Sequence, residues 1–323
     1  VNDRWKLDHE VIRALAARRP VVALETTLVT HGLPHPDGVE AAVALEAEVR
    51  AAGAVPATIG VWDGHVRVGM SRAELEALAT APGVRKLNLS NFAAVLSAGA
   101  AGSTTVAATM LVAHHAGIGV FATGGIGGVH RDAARSGDVS ADLTALARFP
   151  VAVVCAGAKA VLDLPRTVEA LETLGVPVYG VGTDEFPAFY RRESGLKVDQ
   201  RFDSIDALGA AVRAHFLFGH GSGVLVANPI PEADQMPKEL YERALGEALA
   251  AAEREGVRGR AVTPFLLERL RAATGGESVR ANLALLRDNA RVAGQLAGAL
   301  SRAWNAFPGD VPESSSSRIP RRL

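Results

Sequence analysis

The chain has one cysteine, Cys155, in 323 residues, which excludes an intramolecular disulfide framework. It has no excess of either charge: 34 basic residues face 35 acidic ones, for a net charge of −1. That balance argues against nucleic acid or an acidic membrane as a partner and leaves a small molecule as the expected one. No apolar run approaches the ~20 residues of a transmembrane helix. The first residues, VNDRWKLDHEVIRAL, are charged and amphipathic and lack the apolar core of a signal peptide, so a cytoplasmic location is expected. Hydrophobic residues make up 48% of the chain, enough to bury one large core or two medium ones. Runs rich in β-branched residues alternate with alanine-rich helical runs, which favours a single α/β domain. That domain is expected to extend to residue 303, with residues 304–323 a tail whose polar composition predicts disorder.

Taken in order, Leu7 to Arg18 has apolar residues at helical spacing, with Ile12 among them. The strand VVALET follows and ends on Glu25, where a carboxylate at a strand mouth is a general acid/base candidate. A structural carboxylate accepting backbone hydrogen bonds is the competing reading. Pro36 to Ala52 is predicted helical, Asp63-Gly64 predicts a hairpin between two short strands, and Ser71 with Glu74 forms a capping box. Lys86 sits at a predicted strand end. Ser103, Thr104 and Thr105 precede an apolar helix whose unpaired first N–H groups can receive an anion. His114 and His115 lie on that helix and point about 100° apart, as packing residues rather than a metal pair.

The densest run of candidate chemistry spans ATGGIGGVHR, DVSAD and VAVVCAGAK, the last ending at Lys159. The glycines of GGIGG suit either a sugar or phosphate loop or a tight turn; neither a P-loop nor a dinucleotide fingerprint is present. Asp138 and Asp142 are four apart, with Ser140 between them as a helix N-cap candidate. The two carboxylates could share a hard divalent cation with water, or simply open a capped helix. Lys159 follows the most hydrophobic strand of the chain, and an amine in apolar surroundings is pushed towards its neutral, nucleophilic form, as Schiff-base chemistry requires. Further helices are predicted from Arg166, Ser204, Lys238, Pro264 and Ser278. Asn282, early in the last of them, could read a heterocycle edge or sit on the surface.

Together ALETTLVTHGLPHP, STTVAATM, FATGGIGGVHR, DVSADL, PVAVVCAGAK, GTDEFPAF, VLVANPIP and ANLALLRDNARVA resemble the pseudouridine-5′-phosphate glycosidase family, which includes indigoidine-synthase-A-like proteins. The likeness runs in the family's order from about residue 7 to residue 300. It implies a three-layer α/β/α fold with a mixed, mostly parallel sheet, a homotrimer, and a manganese-assisted reaction. That reaction reversibly makes or breaks a carbon–carbon bond between ribose 5-phosphate and a base. By motif position, the resemblance implies Lys159 as the Schiff-base nucleophile, Glu25 as proton donor and Asp138 as the Mn²⁺ ligand. It implies substrate contacts at Lys86, Val106, Ser140, Ala141 and Asp142, with His130 and Asn282 as further polar pocket residues.

Two stretches depart from the family pattern. Gly38, in HGLPHPDG, stands where pseudouridine-acting members have asparagine, and KLNLSNF replaces a basic stretch after Lys86. Both differences fall on base recognition and leave Glu25, Asp138 and Lys159 in place. With an alanine-, glycine- and arginine-rich composition, they favour the family's alnumycin-type C-glycosynthase branch, which attaches ribose 5-phosphate to an aromatic polyketide in antibiotic biosynthesis. Pseudouridine-5′-phosphate cleavage to uracil and ribose 5-phosphate is the second expectation.

Overall fold

The computed structural model describes residues 2–219, 221–257 and 262–306. Its strands are β1 (Trp5–Leu7), β2 (Val21–Leu24), β3 (Val55–Trp62), β4 (His65–Val68), β5 (Arg85–Leu87), β6 (Gly102–Thr104), β7 (Val120–Ala122), β8 (Ala152–Cys155), β9 (Val178–Val181), β10 (Gln200–Phe202) and β11 (Val224–Ala227). Its helices are α1 (His9–Ala16), α2 (Asp37–Ala51), α3 (Arg72–Thr80), α4 (Phe92–Ser97), α5 (Val106–Ala116), α6 (Ala133–Ser136), α7 (Ala141–Arg148), α8 (Leu164–Thr173), α9 (Ile205–Phe218), α10 (Lys238–Arg254), α11 (Val262–Ala273) and α12 (Glu277–Ala306). The last helix takes in the first residues of the expected tail, and the remainder of that tail, residues 307–323, lies outside the described residues.

The sheet runs β1-β4-β3-β2-β7-β8-β11-β9-β10 and is parallel from β3 to β10, with β4 antiparallel to β3. This is the mixed, mostly parallel sheet expected. Parallel strands buried on both faces read as unbroken apolar runs, and β8 is one, every residue of it fully buried. Helix α5 packs on β2, β3 and β7 together with α7, whereas α12 packs on β2, β7 and β8 together with α2 and α9. Helices thus cover both faces and make three layers. No described helix is long and apolar enough to cross a membrane.

The local signals act as read. Asp63 and Gly64 both take positive φ, 51° and 67°, in the turn joining β3 to β4. Ser71 and Glu74 form the reciprocal capping box of α3. His114 lies 5.7 Å from the Phe149 ring, and His115 Nδ1 donates to Leu111 O at 2.8 Å, so both pack locally. Two residues of the first predicted helix are exceptions: Leu7 belongs to β1 and not to the helix, and Ile12 is 46% exposed because Val11 and Ala14 form the buried face of α1.

Strand β3 decides where the site lies. Its first half pairs with β2 and its second half, at Gly60 and Val61, with β6. Strand β2 therefore stops where β6 takes over, and the chain leaving β2 at Glu25 enters a polar opening beside β7. The short strands β1, β6 and β10 were not evident from periodicity, because three residues carry too little of it.

Candidate active site

Three neighbouring parallel strands empty at one edge of the sheet. Glu25 follows β2, Thr123 follows β7, and Gly157 to Lys159 follow β8, the carboxyl-end position where open α/β sheets place ligands. The loops after β7 and β8 are laced together: Ile126 N donates to Gly157 O and Lys159 N donates to Ile126 O, each at 3.0 Å. Gly157 has φ +81°, and a Cβ there would lie 2.1 Å from Pro187 O. Only glycine fits two residues before Lys159.

Glu25 keeps some accessible surface, so a substrate can reach it, yet protein surrounds its carboxyl. Burial pushes its pKa above the ordinary carboxylate value, opposed by the Lys159 ammonium, by the Thr123 hydroxyl and by Lys86, while the charge of Asp142 adds to the rise. Thr123 Oγ1 donates to Glu25 Oε1 at 2.5 Å. Lys86 reaches the site from β5, where it is the register partner of Ser103 on β6. The residue as a whole is exposed, but desolvation of its ammonium, then Lys159, hold it below the usual lysine value against the pull of Glu25 and Asp142. The structure thus gathers Glu25, Lys86, Asp142 and Lys159 from four separate stretches into one interacting group.

Two helix N-termini complete the floor. Thr105 caps α5 by accepting from Ala108 N at 3.4 Å, and its hydroxyl donates to Leu87 O at 2.8 Å, which joins the helix start to the Lys86 strand. Val106 is the first residue of α5 and is buried. Ser140 caps α7, accepting from Asp142 N at 3.2 Å, with Ala141 its first residue. Asp142 is 5% exposed and both oxygens are engaged, accepting Ala107 N at 2.9 Å and Gly127 N at 2.7 Å. A cation shared by Asp138 and Asp142 is therefore not what the geometry offers; the capped helix start is.

Asp138 stands apart. Among the described residues its carboxylate accepts no hydrogen bond, and its nearest partner is His130, whose Nδ1 lies 3.9 Å away. No group of three or more His, Cys, Asp or Glu side chains that could hold a metal occurs among the described residues. One unshared carboxylate beside a histidine fits a hard cation whose remaining ligands are water and substrate oxygens. Asn282, on α12, comes to the glycine loop: a Cβ on Gly124 would lie 3.5 Å from its Oδ1.

The glycine loop itself differs from a ligand cradle. It is buried throughout, and side chains occupy the room its glycines leave: a Cβ would meet the Phe189 ring at 2.6 Å from Gly125, Ser140 Oγ at 2.3 Å from Gly127 and Thr167 Oγ1 at 2.4 Å from Gly128. These glycines admit neighbouring protein. Gly38 acts likewise, since a Cβ there would lie 2.8 Å from Val29 O in the π-helical turn Leu28–Gly32. KLNLSNF closes on itself, with Asn91 Nδ2 donating to Lys86 O at 3.0 Å and so holding the Lys86 strand end.

Several residues of the site carried no recognisable local signal. Thr123 is one. Asn289 and Asn228 are others, buried amides that meet behind the Thr123-Gly124 turn. His31 is a fourth, hydrogen-bonded through Nδ1 to Thr30 at 2.5 Å and close enough to Lys86 for that charge, after desolvation, to lower its pKa. Cys155 lies only four residues before Lys159, but burial pushes its thiol up to about 12, which rules it out as a nucleophile at neutral pH. A groove of about 730 Å³ between α2 and α12 contains Asp288 but none of Glu25, Lys86 or Lys159, so the chemistry lies elsewhere.

The model of the indigoidine synthase A like protein family matches residues 10–299. The chain belongs to that family. It is 54% identical over 322 residues to the pseudouridine-5′-phosphate glycosidase of Methylobacterium nodulans, covering 96% of each chain. It is 50% identical to the enzyme of the same name from Caldanaerobacter subterraneus, over 92% of this chain and 97% of that one. Among solved structures, the prealnumycin C-glycosynthase AlnA in complex with ribulose 5-phosphate superposes with a TM-score of 0.88 at 41% identity, over 94% of this chain and 98% of that one. An indigoidine synthase A-like protein of Thermotoga maritima gives a TM-score of 0.83 at 36% identity, over 92% and 97%. These relatives make the chain an enzyme of the glycosidase or lyase type and bear out the expected fold.

Proposed function

We propose that this enzyme is a pseudouridine-5′-phosphate glycosidase, which splits the carbon–carbon bond between ribose 5-phosphate and uracil through an imine on Lys159. The observation that carries the reading is the convergence of Lys159 and a protonatable, buried Glu25 behind the ends of β8 and β2, the two strands that flank β7, in a chain 54% identical to a glycosidase of that name. C-ribosylation of an aromatic polyketide, which the departures at Gly38 and KLNLSNF favoured, becomes the second reading. It retains the likeness to the C-glycosynthase, but at 41% identity. The two departures also have packing roles, holding the Leu28–Gly32 turn and the Lys86 strand end.

A C-glycoside has no oxygen or nitrogen leaving group for a pair of carboxylates to protonate, so departure through a simple oxocarbenium ion is a poor route. Attack of the neutral Lys159 amine on the anomeric carbon breaks the bond from that carbon to the ring oxygen, which takes up the proton the nitrogen loses, and so opens the ring. The nitrogen lone pair then forms the iminium as the carbon–carbon bond breaks, and Glu25 delivers its proton to the base carbon. Water hydrolyses the imine and frees Lys159. Proton transfer by Glu25 contributes about 10²–10⁴-fold, and the imine supplies much of the rest. Lys86 places a positive charge where the sugar phosphate enters, beside the starts of α5 and α7, whose helix dipoles favour an anion even though the Ala107, Ala108 and Asp142 N–H groups are already engaged. Manganese would be held by Asp138 through water and would offset phosphate charge.

The test is release of uracil from pseudouridine 5′-phosphate with manganese present, followed by chromatography. Wild-type turnover that Lys159→Ala abolishes is expected. No uracil release, with ribose 5-phosphate instead joined to a naphthoquinone acceptor, would overturn the glycosidase reading in favour of the synthase.

A further inference from the structure

Behind the catalytic pair lies a chain of buried amides to which nothing above assigns a role. Asn289, fully buried on α12, donates from Nδ2 to Thr123 O at 2.8 Å and to Gly124 O at 3.4 Å. Its Oδ1 accepts from Asn228 Nδ2 at 3.0 Å, and the same Asn228 amide donates to Asp288 Oδ2 at 2.8 Å. Thr123 is held at every polar atom: its N–H by Val154 O at 3.0 Å, its carbonyl by Asn289 and its hydroxyl by Glu25.

We infer that Asn289 is a positioning residue for the proton donor: by holding the Thr123 carbonyl it aims the Thr123 hydroxyl at Glu25, and Asn228 braces it from behind. The inference rests on the proposed role of Glu25 in cleavage. Three features support it. The contact spans 166 residues of sequence, so α12 is tied to this turn by a specific bond rather than by chain continuity. The turn begins a glycine loop with no side chains of its own to fix it, apart from Ile126. And the bond ends on a hydroxyl that favours the ionised form of Glu25 against the burial that disfavours it. The charged groups facing Glu25 are Lys159 after β8, Lys86 on β5 and Asp142 on α7, whereas the hydrogen-bond partners of the Asn289 side chain among the described residues are Asn228, Thr123 and Gly124.

Cleavage needs Glu25 protonated, so its rate falls on the alkaline side as Glu25 ionises. Removing the Thr123 hydroxyl removes a stabiliser of the ionised form and moves that limb to higher pH. Thr123→Val should move it up by about one pH unit, the usual worth of a hydrogen bond to a charged group, and Thr123→Ser should leave it near wild type. Asn289→Ala should move the limb in the same direction, lower kcat at least about tenfold and leave KM within about threefold. The double variant Thr123→Val with Asn289→Ala should be no slower than Thr123→Val alone within about threefold, because both act through one contact. If Asn289→Ala does not fold, Asn228→Ala takes its place and should shift the limb the same way by less. An unmoved limb in the folded amide variant, or effects that multiply, overturns the inference. Absence of wild-type uracil release would instead count against the glycosidase reading.

Discussion

The Asp142 carboxylate accepts the Gly127 N–H at 2.7 Å, and through its other oxygen the N–H of Ala107 at 2.9 Å. One side chain thereby ties the first turn of α5 to the glycine loop and to its own helix. A buried carboxylate fully engaged by backbone donors is a structural clamp whose loss strands two N–H groups. Asp142→Ala should lower the free energy of unfolding by about 3 kcal/mol in urea denaturation, and the lost fold, rather than lost phosphate affinity, should account for its low activity.

Burial raises the pKa of Glu25 above the ordinary carboxylate value, against the pull of Lys159, Thr123 and Lys86. In the proposed cleavage its protonated form is the active one, so a raised pKa should extend activity to higher pH and the rate should decline as Glu25 ionises. Glu25→Gln, which keeps the shape and cannot deliver the carboxyl proton, should lower kcat for uracil release about 10²–10⁴-fold. The same variant should lose the alkaline decline, which a pH–rate profile will display.

The glycine loop makes a separate prediction. Gly128→Ala drives a methyl group to 2.4 Å from Thr167 Oγ1, the atom that accepts Val129 N at 3.0 Å. Overpacking of this kind costs about 1–3 kcal/mol, and the expected result is a less stable protein by thermal or chemical denaturation. A ligand-cradle role would instead leave stability unchanged and raise KM.

Gly38 separates base recognition from packing. A Cβ there would lie 2.8 Å from Val29 O and 3.1 Å from Leu28 O, both backbone atoms that cannot swing away. Gly38→Asn, which introduces the asparagine expected there from the family resemblance, should therefore destabilise the Leu28–Gly32 turn carrying Thr30 and His31. Lower melting temperature and lower activity on every base are expected; a clean gain for uracil alone would show that the position reads the base.

The parts of this molecule that announce themselves in sequence are those whose physics is local. The Asp63-Gly64 turn, the Ser71–Glu74 box and the caps at Thr105 and Ser140 each depend on neighbours within a few residues. Glu25 and Lys159 could be singled out as candidates because a polar residue directly or shortly after a buried strand is conspicuous. What stayed hidden depends on distant partners. Thr123 gains meaning only when β7 lies beside β2, Asn289 only when α12 crosses the turn, and the three-residue strand β6 only when β3 outruns β2. Asp138 and Asp142 looked equivalent at a spacing of four; the capping geometry of Ser140 sends one into the backbone and leaves the other at the surface.

The central claim is that Lys159 carries the opened sugar as an imine. Its most direct measurement is the intact mass of the protein after treatment with ribose 5-phosphate and borohydride. The account predicts a covalent increase equal to reduced ribose 5-phosphate, mapped to the peptide containing Lys159 and absent from Lys159→Ala. An unchanged mass in a preparation that still releases uracil, or an adduct mapped to Lys86, would contradict it.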